Sequence, residues 1–321
     1  MNPQATSSTP STATVRFLEA VNSGSGPAIE TLTPSEAREV LTGAQRSVEV
    51  DVSGIDVTRR VVEQDGLNLS LVIVKPQHAG GVLPVFMFFH GGGWILGDYP
   101  THERLVRDLV VQSGAAAAFV EYTPSPEARF PVAINEAYAA TKWVAAHGGE
   151  IGVDGARLAV VGNSVGGNMA AVVSQMAKDR QGPAIRFQGL MWPVMDHAFE
   201  NASFDAFANG FFLSRAMMKW FWNAYTTDAG ERNQRYASPL RATLDELKGL
   251  PPALIQTAQF DVLRDEGEAY GYRLDLAGND VTTTQYKGTI HDFGLLNVLA
   301  ADAPTRTAMQ QMAAALKTRL Q

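Results

Sequence analysis

The chain contains no cysteine, carries no dense run of lysine or arginine, and has no apolar stretch approaching the length of a membrane span. Without cysteine, a thiol nucleophile, a thiolate zinc site, an iron–sulfur cluster, a disulfide framework and a thiol redox switch are all excluded. What survives is oxygen and imidazole chemistry. The 26 basic side chains are outnumbered by 33 acidic ones, a net charge of −7. Nucleic acid is therefore a poor partner, because phosphate binding needs clustered positive charge. The longest apolar runs, Val82 to Phe89 and Ala115 to Val120, fall far short of the ~20 residues of a spanning helix and read as buried strands. Met1 to Thr14, uncharged and rich in Ser, Thr, Pro and Ala, lack the basic region and apolar core of a signal peptide. They read as the flexible start of a cytoplasmic protein.

The 321 residues, 45% of them hydrophobic, suffice for a substantial core without staples. Helical patterns are expected at Val15 to Asn22 and at Pro34 to Gln45, the second opened by Thr33 as N-cap with Glu36 at N3. Thr58 to Glu63 and Leu67 to Lys75 read as paired strands around an Asp65-Gly66 turn. Apolar runs then alternate with helical stretches: Val85 to Phe89, Ala116 to Tyr122, Leu158 to Gly162, Phe187 to Met191, Ala253 to Ala258 and Thr282 to Lys287. Such runs predict an α/β fold with a parallel sheet covered on both faces. Between Pro193 and Leu240 the rhythm breaks into an aromatic-rich stretch. There Met217, Trp220, Phe221 and Ala224 form one helical stripe, and Met218, Trp222 and Tyr225 a second. A helix apolar on two sides needs two partners, so this segment is expected to cap the carboxyl edge of the sheet; an ordinary buried helix is the rival reading.

Three motifs carry chemistry. Gly162-Asn163-Ser164-Val165-Gly166 lies between an apolar strand and a helical stretch, the setting in which a G-x-S-x-G turn exposes a nucleophilic serine. His90-Gly91-Gly92-Gly93-Trp94 follows another strand and offers unobstructed backbone N–H groups to a developing oxyanion. A nucleotide-binding turn is a weak rival, since neither the G-x-G-x-x-G spacing nor a P-loop lysine is present. His90 itself reads as a structural imidazole pinning this loop. The third motif supplies the base, which serine requires. Of six histidines, His78, His102, His147 and His197 read as surface or capping residues, while His291, just past the last strand, can reach the carboxyl edge. For this chain order the orienting carboxylate falls between nucleophile and base, and Asp261 ends the strand Ala253 to Phe260. Asp265 is free to cap the next helix. Asp196 competes with Asp261, but its neighbours Met195 and Phe199 favour a cap or pocket-wall role.

On these residues the chain resembles the hormone-sensitive-lipase-like family of α/β-hydrolase esterases, bacterial carboxylesterases among them, from about Val57 to the C-terminus. The likeness rests on the His90 to Trp94 loop, the elbow continuing as Gly166-Gly167-Asn168, Leu250-Pro251-Pro252-Ala253, and Asp261 through Gly267. It implies an α/β-hydrolase fold with a mostly parallel eight-stranded sheet, and a helical cap built from residues 1–54 and 193–239 over a catalytic core of 55–192 and 240–321. It implies carboxylic-ester hydrolysis with no cofactor and no metal. Three departures stand out: Asn163 and Val165 replace the usual Asp and Ala beside the serine, Tyr122-Thr123-Pro124-Ser125-Pro126-Glu127 replaces Tyr-Arg-Leu-Ala-Pro-Glu, and Asp292 replaces a common Gly.

The expected enzyme is a serine esterase, with Ser164, His291 and Asp261 as nucleophile, base and orienter, and amides of Gly91, Gly92, Gly93 and Val165 as oxyanion donors. A small, short-chain pocket is expected from Trp94, Trp192, Phe211, Phe212 and Trp222, with Val165 narrowing the space beside the oxyanion. The expected partner is a small-molecule ester, with no nucleic acid and no stable membrane insertion; a homodimer is an allowed assembly. The alternatives are an amidase or peptidase on the same triad, or a non-catalytic ligand-binding protein on this scaffold.

Overall fold

The computed structural model describes residues 9–24 and 26–321. Two helices precede the sheet, α1 (Thr12–Asn22) and α2 (Pro34–Arg46). Ser11 caps α1 by accepting from the Thr14 amide. The flexible start expected for Met1 to Thr14 therefore lies outside the described residues only over 1–8, and Thr12 to Thr14 are the first turn of a helix. Around α2 the expected capping box is present: Thr33 accepts from the Glu36 amide and Glu36 from that of Thr33.

The strands are β1 (Ile55–Gln64), β2 (Leu67–Pro76), β3 (Leu83–Phe89), β4 (Ala116–Glu121), β5 (Val153–Asn163), β6 (Phe187–Met191), β7 (Ala253–Phe260) and β8 (Val281–Ile290). They form one sheet in the order β1-β2-β4-β3-β5-β6-β7-β8. β1 and β2 pair antiparallel through a two-residue turn, Asp65 at φ 54° and Gly66 at φ 76°, the positive-φ pair whose twist suits a hairpin. β2 meets β4 antiparallel; from β4 through β3 to β8 the pairing is parallel.

The connecting helices are α3 (Tyr99–Ser113), α4 (Val132–His147), α5 (Val165–Asp179), α6 (Ala202–Phe207), α7 (Arg215–Tyr225), α8 (Ala229–Asn233), α9 (Leu244–Leu247), α10 (Arg264–Leu276) and α11 (Ala303–Arg319). Leu105 and Leu109 of α3 and Met312 and Leu316 of α11 share one core layer; α4, α5 and α10 supply the other. α5 is buried from Val165 to Ala177, which accounts for its near absence of charge. No helix of the described residues is long and apolar enough to cross a membrane.

Several edges differ from the sequence reading. β5 begins at Val153, five residues before Leu158, because Asp154-Gly155-Ala156-Arg157 interrupts the apolar run while the backbone stays extended. β8 runs past Lys287 to Ile290 through Gly288 at φ 76°. Asp265 does not cap α10, whose N-cap is Leu263; its carboxylate accepts from the Ser203 amide at 2.8 Å and so ties α6 to α10. β3 lies at the centre, with β4 on one side and β5 on the other. The loops leaving β3 and β5 consequently diverge at the carboxyl edge, where an open α/β sheet offers a binding crevice.

Candidate active site

β5 delivers Asn163 and α5 starts at Val165, so Ser164 alone makes the turn, at φ 54° and ψ −122°. Non-glycine residues rarely adopt such a conformation, and the surrounding contacts must over-determine it. They do: the Ser164 amide donates to Met191 O at 2.9 Å and the Ser164 carbonyl accepts from the Val194 amide at 3.1 Å. A Cβ at Gly166 would come within 1.9 Å of Phe89 O, so this glycine lets α5 start directly against β3.

His291 follows β8, and its ring is buried between two partners. Nδ1 lies 2.7 Å from Asp261 Oδ2, and Nε2 lies 3.0 Å from Ser164 Oγ. An ionised carboxylate only accepts, so Nδ1 carries the proton and Nε2 presents a lone pair to the serine hydroxyl. Asp261 is itself fixed, Oδ1 accepting from the Leu263 amide at 2.9 Å. All three side chains are buried. Burial by itself would lower the His291 pKa, but the carboxylates of Asp261 and Asp292 outweigh it and raise the pKa above the ordinary 6.5. Asp196 stands apart, paired with Arg241 Nε at 2.7 Å.

The glycine loop divides its labour. The Gly91 amide donates to Asn163 Oδ1 at 2.9 Å and is not available to an oxyanion, which removes Gly91 from the expected donors. Gly92 (φ 104°) and Gly93 (φ 64°) occupy backbone conformations that disfavour side chains. A Cβ at Gly93 would sit 2.0 Å from the Phe221 ring. Among the described residues the amides of Gly92 and Gly93 donate no hydrogen bond, and that of Val165, the first residue of α5, has no intrahelical acceptor. His90 pins the loop from behind: Nδ1 donates to Gly91 O at 2.9 Å, and the ring stacks on Tyr122 at 4.1 Å. Burial holds its pKa down to about 4, so it stays neutral.

His102 is fully buried rather than a surface or capping residue, because the first turn of α3 packs it against His90 at 5.4 Å. His78 and His147 are exposed; half-buried His197 lies 3.1 Å from Ser238 Oγ.

Ser164, His291 and Asp292 face a cavity of about 170 Å³. Its walls are apolar: Phe17 and Val21 of α1, Leu41 and Ala44 of α2, Leu213, and Met217 and Phe221 of α7. Of the expected pocket residues only Phe212 is among them. Trp94 is buried, stacked on Tyr225 at 3.9 Å, and Trp222 packs edge-on against Trp94 at 5.0 Å. Phe211 stacks on Phe260 at 5.6 Å. Trp192 packs on Phe293 and donates Nε1–H to Asp292 Oδ1 at 2.6 Å, so it stands behind the wall. The Val165 side chain is buried in the core and does not narrow the cavity. Met217 and Phe221 belong to the first stripe read from α7, and its i, i+4 spacing was the signal for them; Phe17 had none.

A family profile described as alpha/beta hydrolase fold matches residues 86–295. The chain belongs to the α/β-hydrolase family. Its curated relatives include the carboxylesterase NlhH of Mycobacterium tuberculosis, 33% identical over 285 residues, 86% of this chain and 89% of that one. The ethyl acetate hydrolase of Pseudomonas putida is 31% identical over 255 residues, 78% of each chain. Among solved structures, the esterase rPPE carrying a serine-to-alanine and a tryptophan-to-histidine exchange superimposes with a TM-score of 0.97 at 60% identity, covering 98% of both chains. The resemblance to hormone-sensitive-lipase-like esterases is borne out, and this α/β-hydrolase is a carboxylic ester hydrolase.

Proposed function

We propose that this α/β-hydrolase is a serine carboxylesterase for small esters with short acyl groups, working through an acyl-enzyme. The observation that carries the reading is the hydrogen-bonded series Asp261, His291, Ser164 opening onto one apolar cavity. Ser164 Oγ attacks the ester carbonyl while His291 Nε2 takes its proton, and Asp261 steadies the resulting imidazolium. The amides of Gly92, Gly93 and Val165 receive the oxyanion. Collapse breaks the ester C–O bond, and His291 returns its proton to the departing alcohol. Water then enters by the same route in reverse, and the acid leaves.

The cavity's size supports the short-chain assignment: about 170 Å³ is below the roughly 300–1,000 Å³ of pockets for drug-sized ligands. The likeness to an ethyl acetate hydrolase points the same way. In esterase rPPE the exchanged serine and tryptophan are spaced as Ser164 and Trp192 are here, which supports Ser164 as nucleophile. The helices α1, α2 and α7 share the cavity's walls and act as its cap over the 55–192 and 240–321 core. We place the enzyme in the cytoplasm with a small ester as its partner; homodimer formation is compatible with this and enters none of the steps.

Release of p-nitrophenol from acetyl to octanoyl esters, beside the matching anilides, tests the reading. Turnover of short esters with negligible anilide cleavage is expected; no ester turnover refutes it.

A further inference from the structure

Asn163 is the side chain that holds both departures beside the triad together. Its Oδ1 accepts from the Gly91 amide at 2.9 Å, and its Nδ2 donates to Asp292 Oδ1 at 3.0 Å. The first partner demands an acceptor and the second a donor, so the amide's orientation is fixed and an aspartate could satisfy only the first. Asp292 Oδ1 takes a second donor, Trp192 Nε1, at 2.6 Å. Its other oxygen lies 3.7 Å from His291 Nε2. Asn163 and Trp192 are fully buried, so solvent cannot substitute for a partner lost by either. The three anchoring points are the residue before the nucleophile, the residue after the base and the first glycine of the loop.

We propose that Asn163 and Asp292 form one positioning unit for the esterase reaction, in which the Asn163 amide locks the glycine loop to the base, and that position 163 must be an amide because position 292 is a carboxylate. The proposal rests on the esterase reading for what the unit serves, but not for its existence. The charged and titratable groups around the pair are His291 with Asp261 behind it, His102 of α3 beside Asn163, and His90 against His102. Arg104 of α3 spends its guanidinium on the carbonyls of Gly294 and Leu295 and on Asp108 and Asn297. Among the described residues no cation pairs with Asp292 other than His291, and that only when its ring is protonated. An aspartate at 163 would therefore confront Asp292 with a like charge at hydrogen-bonding distance, and one proton would have to be shared. Position 292, at φ 57°, suits glycine, so Asp292→Gly removes the confrontation without straining the backbone.

The test is a double-mutant cycle on the full chain: Asn163→Asp, Asp292→Gly and both together, with Asp196→Asn as a control away from the site. Hydrolysis of p-nitrophenyl acetate at about pH 7.5 should fall at least ~30-fold in Asn163→Asp and recover at least ~10-fold of that when Asp292→Gly is added, a coupling typical of residues in contact. Thermal unfolding supplies a readout that a plain packing defect would not move. The facing carboxylates raise the pair's upper pKa above the unfolded value, so no penalty exists when both are protonated. The Tm deficit of Asn163→Asp should therefore widen between about pH 5 and pH 8, and the double variant should lose that widening. Multiplicative, uncoupled losses with parallel Tm profiles overturn the proposal. If Asn163→Asp does not fold, a folded double variant supports the unit and an unfolded one overturns it. Absent wild-type turnover would sink the esterase reading while the Tm cycle still decides the pair.

Discussion

The backbone N–H of Gly91 donates to Asn163 Oδ1 at 2.9 Å, so the first of three consecutive glycines serves the elbow and not the oxyanion. A Cβ there would meet Asn163 Nδ2 at 2.5 Å. On the proposed reading the remaining glycines receive the oxyanion, and Phe221 of α7 rests against the second of them.

Gly93→Ala keeps the backbone N–H but displaces it, and is accordingly expected to lower kcat/KM for p-nitrophenyl acetate by up to about 10²–10³-fold, the cost of losing one oxyanion donor outright. The added methyl collides with the Phe221 ring, so Phe221→Ala in the same chain should restore part of the loss. The φ of 64° at position 93 sets the residue that is not recovered. Steady-state kinetics of the two single variants and the double variant check this; no recovery would mean that backbone strain alone governs the loop.

Ser164→Ala should abolish ester hydrolysis with the fold intact, because the side chain lies at a turn and contributes little packing. Asp261→Asn should cost about 10⁴-fold in kcat, since an amide favours the wrong imidazole tautomer and cannot steady the imidazolium. Asp196→Asn should cost far less, its carboxylate being held by Arg241 away from the base. Circular dichroism beside the kinetics separates these losses from unfolding, and a larger loss at Asp196 would move the orienting acid to the segment after β6.

Much of this is legible in the sequence. β6 is bounded as expected, Phe187 to Met191, because a short apolar run between polar segments leaves no room for another assignment. The three triad residues are strand-end or loop residues whose chain order restricts the choice. Pocket walls were less legible. Large aromatics suggest a pocket by size, but direction decides: Trp222 turns to Trp94, whereas Met217 and Phe221, on the other stripe of the same helix, face the cavity. Phe17 reaches the same cavity from the far end of the chain. Asn163 and Asp292 stood out as departures, yet the hydrogen bond joining them spans 129 positions, and no local pattern reports such a contact.

His291 supplies a pH prediction. Two carboxylates raise its pKa above the ordinary 6.5 despite burial, and the reaction needs the neutral ring. The acid limb of kcat/KM should therefore have its midpoint above 6.5, with activity rising as pH rises through it. Asp292→Asn keeps the acceptor for Asn163 and Trp192 and removes one charge, so the midpoint should fall. The linked effect on stability has the opposite sense. A folded-state pKa above the unfolded one stabilises the protein fully below the unfolded value, and that contribution is lost as pH rises through the folded pKa. A pH–rate profile from about pH 5 to pH 9 reads the first effect, and a midpoint unmoved by Asp292→Asn would show that Asp261 alone sets it.

Acyl length is the remaining discriminator, and two effects oppose each other. Each further buried CH₂ is worth about 0.8 kcal/mol if the wall yields, whereas forcing volume into a closed, well-packed space costs about 1–3 kcal/mol. With about 170 Å³ of cavity and walls supplied by buried Leu213 and Phe221, the second effect should win beyond butyryl. The kcat/KM for p-nitrophenyl esters should then peak at acetyl to butyryl and decline through hexanoyl and octanoyl. Met217→Ala removes a half-buried, flexible wall residue of α7 and should shift the peak towards longer chains at little cost in stability. Leu276→Ala, on the exposed face of α10, should leave the profile unchanged. A wild-type maximum at hexanoyl or beyond would mean that α1 and α7 part to admit the chain, and the Met217→Ala profile would then coincide with that of wild type.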